Sequence, residues 1–301
     1  MKVLCLGVHV LDVLVRPVEA IPEGQGGALV EQIRLTAAGS AGGTALVLAR
    51  LGAAVSSAGA VGTDAAGDLL LDLLRREGID VDGLHRRDDV QTSASVLPIR
   101  PTGERPAFHV VGANAAWGDP PWDLLAAADH VHLGGPEFWG GELAGQALAH
   151  AREHGATTSA DLLAPSDPGL LEWIAPALAQ VDHLLPNDEQ ALGLTGAPDL
   201  QTAAEALLER GCRVVAVTRG GEGALVVDPA GATPVPATDV DVVDTTGCGD
   251  AFSAGYIRGL GLGRSPVDAA RLGCAVAGIV AGGLGSDHGE YDLGAIERLA
   301  G

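Results

Sequence analysis

The sequence predicts an α/β fold: a mostly parallel sheet covered by helices on both faces. Two observations carry this. Short apolar runs of strand length alternate along the chain with longer segments of helical period, as βαβ units require. A glycine-bearing turn then joins a valine-rich run to a helical run at Asp244–Phe252, a strand–turn–helix setting. Two regions, 13–37 and 92–112, alternate with period two and have no helix between their runs, so they cannot belong to βαβ units.

In chain order, Val3–Val8 reads as a buried strand and Gly42–Leu51 as a helix closed by Gly52. Ala58–Val61 reads as a short strand, and Ala66–Glu77 as a helix with Leu69, Leu70, Leu73 and Leu74 on one face. Ser93, Ser95, Leu97 and Ile99, then Phe108, Val110 and Val111, form a predicted hairpin around Pro101–Pro106. His130–Leu133 is a predicted strand, Glu142–Glu153 a helix, Thr157–Leu162 a strand and Leu170–Leu178 a helix. His183–Leu185, Val214–Thr218 and Ala224–Val227 are further strands, with helices at Asp188–Leu194 and Ala203–Glu209 between the first two. Val240, Val242 and Val243 mark a strand before the glycine turn, and Ala251–Ile257 a helix after it. The alternating segments near 13–37 and 92–112 predict a small β-sheet lid on a single domain spanning 1–301.

A chain of 301 residues, 47% hydrophobic, buries a large core and is not disordered. The net charge of −21 argues against a nucleic-acid partner, because a phosphate backbone needs a basic face. No apolar run is long enough to span a membrane, and the N-terminus enters a strand pattern without a signal peptide's apolar region. The four scattered cysteines, Cys5, Cys212, Cys248 and Cys274, form no CxxC pair, which fits reduced thiols in the cytoplasm. Lys2 is the sole lysine, which excludes a Walker P-loop and a lysine Schiff base. A nucleophile elbow and a Rossmann glycine fingerprint are also absent.

The string Asp244-Thr245-Thr246-Gly247-Cys248-Gly249-Asp250 carries the chemistry. Its glycines allow a sharp turn and leave amides uncovered, and amides at a helix start form an anion site. Asp250 falls in the first helical turn beside that site. A phosphate-sized anion next to a carboxylate able to take a proton points to phosphoryl transfer to a hydroxyl. His150-Ala151-Arg152-Glu153-His154 offers a competing zinc pattern on a helix, but short patterns of this kind arise by chance on solvated faces. His9 and His132 fall near strand ends that point at the same cleft, as core residues or as pocket lining.

The Asp-Thr-Thr-Gly-x-Gly-Asp string closely resembles the signature of the ribokinase-like carbohydrate kinases, the PfkB family, and other ordered motifs extend the resemblance along nearly the whole chain. It implies a ribokinase-like three-layer α/β/α fold and ATP-dependent phosphorylation of a small sugar, with a nucleoside as the alternative acceptor. Asp250 then corresponds to the general base, with Gly247, Cys248 and Gly249 in the anion hole. Asp12, Gly39, Ser40, Gly43 and Asn114 correspond to substrate-binding positions; Asn114 reads equally as a turn residue, whereas for Asp12, otherwise a turn or strand-end residue, the resemblance favours a substrate contact. Asn187, Thr218, Gly220, Gly223, Cys274 and Gly285 match nucleotide-binding positions. Glu189 and Gln190 fall where Mg²⁺ is organised, and Asp244 and Thr246 where a monovalent cation, K⁺, is bound in some relatives. The resemblance also implies a homodimer formed through the lid.

The departures lie at the substrate end. Gly43 stands where the family usually has Asn, Gln190 where it has Glu, Cys248 where Ala is common and Cys274 where many members carry Asn. Gly134 and Gly135 occupy the stretch where ribokinases often carry a glutamate. Gln190 in particular keeps open a third reading, a sugar- or nucleotide-binding protein with weak catalysis.

Overall fold

The computed structural model describes residues 1–163 and 168–300. The strands are β1 (Lys2–Gly7), β2 (Val10–Arg16), β3 (Gln32–Ala38), β4 (Ala54–Gly62), β5 (Asp80–Arg87), β6 (Ala94–Pro98), β7 (Phe108–Val110), β8 (His130–Gly134), β9 (Thr157–Asp161), β10 (His183–Leu184), β11 (Val214–Thr218), β12 (Ala224–Asp228) and β13 (Gly231–Val235). The helices are α1 (Gly42–Arg50), α2 (Ala65–Arg76), α3 (Trp122–Ala127), α4 (Pro136–Trp139), α5 (Gly141–Glu153), α6 (Pro168–Leu178), α7 (Asp188–Thr195), α8 (Leu200–Leu208), α9 (Cys248–Gly261), α10 (Pro266–Ala281) and α11 (Leu293–Ala300).

Among the described residues the large sheet has the order β13-β12-β11-β10-β9-β8-β1-β4-β5. Pairing is parallel from β5 through to β11, and β12 and β13 add antiparallel strands at one edge. Its central strands are buried on both sides: in β1 every residue after Lys2 is covered. One apolar layer joins this sheet to α5, α6 and α8 through Leu148, Ile174 and Leu207. The opposite layer joins it to α1, α9 and α10 through Leu48, Ile257 and Val276.

Local signals set the helix ends. Asp64 caps α2, its carboxylate accepting from Gly67 N–H at 2.9 Å. Ser265 caps α10 with Pro266 at the first helical position, where a missing N–H costs nothing. In α9 the cap is Gly247, held at φ +78°, where a Cβ would lie 2.1 Å from Ser286 Oγ.

The second sheet has the order β3-β2-β6-β7. Its register sorts the side chains by face. Thr36, Asp12, Ser95 and His109 pair across the four strands as one row, and Leu35, Val13, Val96 and Phe108 as the next. Successive residues point to opposite sides, so the polar row faces the large sheet and the apolar row faces outward, with Phe108 60% exposed.

Two expectations change. The valine-rich run at 240–243 forms no strand; Val242 is exposed, and Val243 N–H donates to the carbonyl of Ala281 at the end of α10. Valines become a strand only beside a partner strand, and β11 is already flanked by β10 and β12. The lid segment 13–37 consists of β2 and β3 joined by a connection over 17–31 that carries no strand. Edge strands β5 and β13 escaped the pattern reading because half-exposed strands lack a continuous apolar run.

Candidate active site

A cavity of about 330 Å³ opens between the lid and the C-terminal ends of the parallel strands, the usual ligand position of open α/β sheets. The lid supplies Asp12, Ser95, Leu97, Arg105 and His109. The strand ends supply Asp161 and Thr218, and the turn into α9 supplies Thr246, Gly247, Gly249 and Asp250.

Asp250 is the third residue of α9. Around it, Ala251 N–H donates to Gly247 O at 2.8 Å, and Cys248 N–H donates to Thr245 O at 3.3 Å. Cys248 therefore spends its amide on the turn, which removes it from the expected anion hole. The amides of Gly247, Gly249 and Asp250 have no protein acceptor among the described residues, and a Cβ at Gly249 would meet nothing within 4 Å. These donors at a helix start make an anion site. The Cys248 thiol, pushed up to about 12 by burial and then by Asp244, stays protonated.

Three carboxyls share the cavity. Burial, then the charges of Asp161 and Asp12, hold Asp250 well above the usual carboxylate range, with Arg105 opposing. Burial also raises Asp161 to about 7, helped by Glu137. Asp12 rises to about 6 through burial, against a hydrogen bond from Ser95 and the charge of Arg105. A carboxylate so raised is a stronger proton acceptor at neutral pH. Arg105, in the lid hairpin, donates from Nε to Thr245 Oγ1 at 3.3 Å and so bridges lid and anion turn.

The other expected residues divide. Gly39, at φ +90°, and Ser40 line the cavity, as do Asn187, Gln190 and Thr218. Gly43 lies directly behind Asp250: a Cβ there would stand 2.2 Å from Asp250 Oδ2. It backs the Asp250 carboxyl and does not line the cavity. Asn114 is a correction. It is buried, its Oδ1 accepting from His9 N–H at 3.2 Å and its Nδ2 donating to His9 O at 3.0 Å. Both ends of the amide are spent on the β1–β2 turn, so Asn114 braces the strand carrying Asp12 instead of meeting substrate.

Gln190 is likewise committed. Its Oε1 accepts from Asn187 N–H at 2.9 Å, Asn187 Oδ1 accepts from Gln190 N–H at 2.8 Å, and Gln190 Nε2 donates to Leu162 O at 2.8 Å. This capping box leaves its oxygen facing the main chain, not Mg²⁺. Glu189, on α7, stands outside the cavity wall. Gly220 (φ +52°) and Gly223 (φ +86°) shape the β11–β12 turn, and Cys274, on α10, lies in one apolar cluster with Phe252; none of the three lines the cavity. Gly285, at φ +79°, packs against Leu14 and Thr36 at the base of the lid. Asp244 Oδ1 accepts from Thr246 N–H and Oγ1, whereas its Oδ2 and Ser286 Oγ are buried without a partner.

Asp161 and Arg105 were missed from sequence. Asp161 had a signal, a lone acid closing a buried strand at its ligand-facing end. Arg105 had none, since an arginine in a hairpin turn is ordinary. His150 lies on α5 and His154 caps its C-terminal end, with ring centroids 4.4 Å apart, and His154 Nδ1 bonds the carbonyl of His150 at 2.9 Å. No group of three metal-binding side chains occurs among the described residues.

The family described as pfkB family carbohydrate kinase matches residues 2–291. An ATP-dependent ribose-1-phosphate kinase of Halopiger xanaduensis is 34% identical over 262 residues, 85% of this chain and 83% of that protein. A ribokinase of Arabidopsis thaliana solved with ribose and ATP superposes with a TM-score of 0.85, covering 99% of this chain and 98% of that one at 22% identity. An adenosine kinase of Sinorhizobium meliloti superposes with a TM-score of 0.80 at 27% identity, covering 100% and 99%.

Proposed function

Because this chain belongs to the pfkB family of carbohydrate kinases, phosphotransferases with a hydroxyl acceptor, we propose that it moves the γ-phosphoryl group of ATP to a hydroxyl of a small sugar, with Asp250 as general base. The observation that carries this is Asp250 itself: a carboxyl with a raised proton affinity, one helical turn deep, beside uncovered amides of Gly249 and its own N–H. As the acceptor hydroxyl attacks, its proton passes to Asp250. The amides of Gly247, Gly249 and Asp250 face the charge that develops on the transferred group, and Arg105 adds a cation from the lid. Asp12 and Ser40 orient the acceptor. Positioning and electrostatics thus supply most of the acceleration.

The donor set would suit Mg²⁺ arriving on the nucleotide: phosphate oxygens and water would supply most of its ligands, and the carboxylate of Asp161 would add one from the cavity wall. A monovalent cation such as K⁺ fits the buried, unpartnered oxygens of Asp244 and Ser286, where it would compensate their lost hydration. The β11–β12 turn, where Gly220 and Gly221 have open space beside them, offers a shelf for the nucleotide base. The outward apolar row of the lid supports a homodimer formed through that face. The four free cysteines fit a reducing, cytoplasmic setting.

A nucleoside acceptor is the second reading, favoured by the likeness to the adenosine kinase. An assay with ATP and Mg²⁺ against pentoses, hexoses, pentose 1-phosphates and nucleosides decides among them. Turnover with a sugar is expected. ATP binding without turnover on any acceptor would instead point to a binding protein.

A further inference from the structure

On the sheet face beneath α1 and α9, three buried polar side chains and one exposed threonine form a line that the chemistry above does not use. His130 and His132 alternate along β8, and Thr157 and Ser159 stand opposite them on β9. Their contacts run in series: Thr157 Oγ1 to His130 Nδ1 at 2.7 Å, His130 Nε2 to Ser159 Oγ at 2.8 Å, Ser159 Oγ to His132 Nδ1 at 2.9 Å, and His132 Nε2 to the carbonyl of Ser40 at 3.1 Å. The line begins at Thr157, which is exposed, and ends on a residue of the cavity wall.

The direction of every hydrogen bond in it is forced. The Ser40 carbonyl only accepts, so His132 must carry its proton on Nε2. Both imidazoles are neutral: burial drops His132 to about 4, and burial with the neighbouring histidines lowers His130 well below its usual range. A neutral ring has one N–H, so His132 Nδ1 accepts and Ser159 must donate to it. Ser159 has then used its only hydrogen, so it accepts from His130 Nε2–H, and His130 Nδ1 accepts from the Thr157 hydroxyl. One carbonyl at the cleft thus sets four hydrogens in a row, and the row in turn holds that carbonyl in one orientation.

Ser40 lies in a turn that needs such a hold. It follows Gly39 at φ +90°, and its own Oγ is buried with no partner among the described residues. We propose that His132, locked through Ser159 and His130, is a positioning residue for the acceptor site: it fixes the Gly39–Ser40 segment, part of the cavity wall, in the orientation that receives the acceptor. The inference rests on the kinase reading above. It assigns these histidines to acceptor affinity, not to phosphoryl transfer and not to nucleotide binding.

Steady-state kinetics test it. In His132→Phe the Ser40 carbonyl loses its donor, and the acceptor KM is expected to rise about tenfold, the scale of one hydrogen bond. The KM for ATP and kcat should stay within about twofold to threefold on the same scale. His132→Gln, whose amide can still donate to the Ser40 carbonyl, should restore most of the acceptor affinity. Ser159→Ala, a small change that spares the fold, should give an intermediate rise. A uniform loss in kcat and both KM values, or an unchanged acceptor KM in His132→Phe, overturns the assignment. Long-range ¹H–¹⁵N spectra of the imidazoles give a readout that needs no substrate. Both rings should be neutral Nε2–H tautomers from pH 6 to 8, and an Nδ1–H tautomer or a charged ring at either position refutes the relay. Failure of the unmodified protein to phosphorylate any acceptor would count against the kinase reading alone, and the tautomer spectra would then decide the relay.

Discussion

Asp161 and Asp250 are buried in the same cleft, and the charge of Asp161 raises the proton affinity of Asp250. Asp250→Asn removes the proton acceptor but keeps shape and the α9 amides. Turnover should fall by roughly 10²–10⁴, with ATP affinity unchanged in a direct binding titration; near-normal turnover would remove Asp250 from the role of base. Asp161 makes a separate prediction about stability. Its carboxyl moves from 3.8 to about 7 in the fold, so the folded state binds this proton more tightly than the unfolded chain does. The stability it contributes is complete below pH 3.8 and lost as pH rises through about 7. Asp161→Asn cannot titrate, so its melting temperature should exceed that of the unmodified protein at pH 8, and the gap should narrow toward pH 5. The ceiling on the gain is roughly 4 kcal/mol. An identical pH dependence in both proteins would show that Asp161 is not raised.

At the level of elements, α1 and α9 meet where Gly43 faces Asp250, and Thr44 Oγ1 donates to Asp250 O at 3.4 Å. The absence of a side chain at Gly43 is what lets Asp250 lie back against α1. Gly43→Ala would place Cβ within 2.2 Å of Asp250 Oδ2. The carboxylate is the end of a short side chain and can swing, so the fold should survive while the base is misplaced. We expect kcat to fall by about tenfold to a hundredfold, the effect of a misplaced reacting group, with the melting temperature changed by only a few degrees; unchanged kcat would show that Asp250 has freedom to spare. The lid illustrates how much a register decides. Shifting β2 by one residue against its neighbours would turn Asp12 outward and Val13 inward, exchanging a polar floor for an apolar one.

For the whole molecule, the outward row Leu35, Val13, Val96 and Phe108 is the feature that an isolated chain leaves unsatisfied. A contiguous apolar face on one side of a four-stranded sheet, in a chain of net charge −21, is most simply covered by a second copy at the same face. Sedimentation velocity should show a dimer, and the double variant Val96→Glu, Phe108→Glu should be a monomer. A monomeric unmodified protein at tens of micromolar would argue against the lid interface. Arg105 ties this scale to the chemistry, because it sits in the hairpin of the same lid and reaches Thr245 in the anion turn.

By itself the sequence determined the alternation of strands and helices, the lid segments and the glycine turn that leads into the helix bearing Asp250. These rest on local rules: hydrophobic period, glycine freedom and the donors at a helix start. It misled where a local pattern needs a distant partner. The valines at 240–243 found no neighbouring strand, and Asn114 spends its amide on His9, 105 residues away. Only the tertiary structure decided that Asp12, Asp161 and Asp250 share one cleft, where burial raises all three and the charges of Asp12 and Asp161 raise Asp250 further. It also decided that Gln190 is a cap, and that two histidines in a strand form a line ending at Ser40. Burial, charge coupling and hydrogen-bond direction depend on distances between residues far apart in the chain, and no reading of neighbours along it supplies those distances.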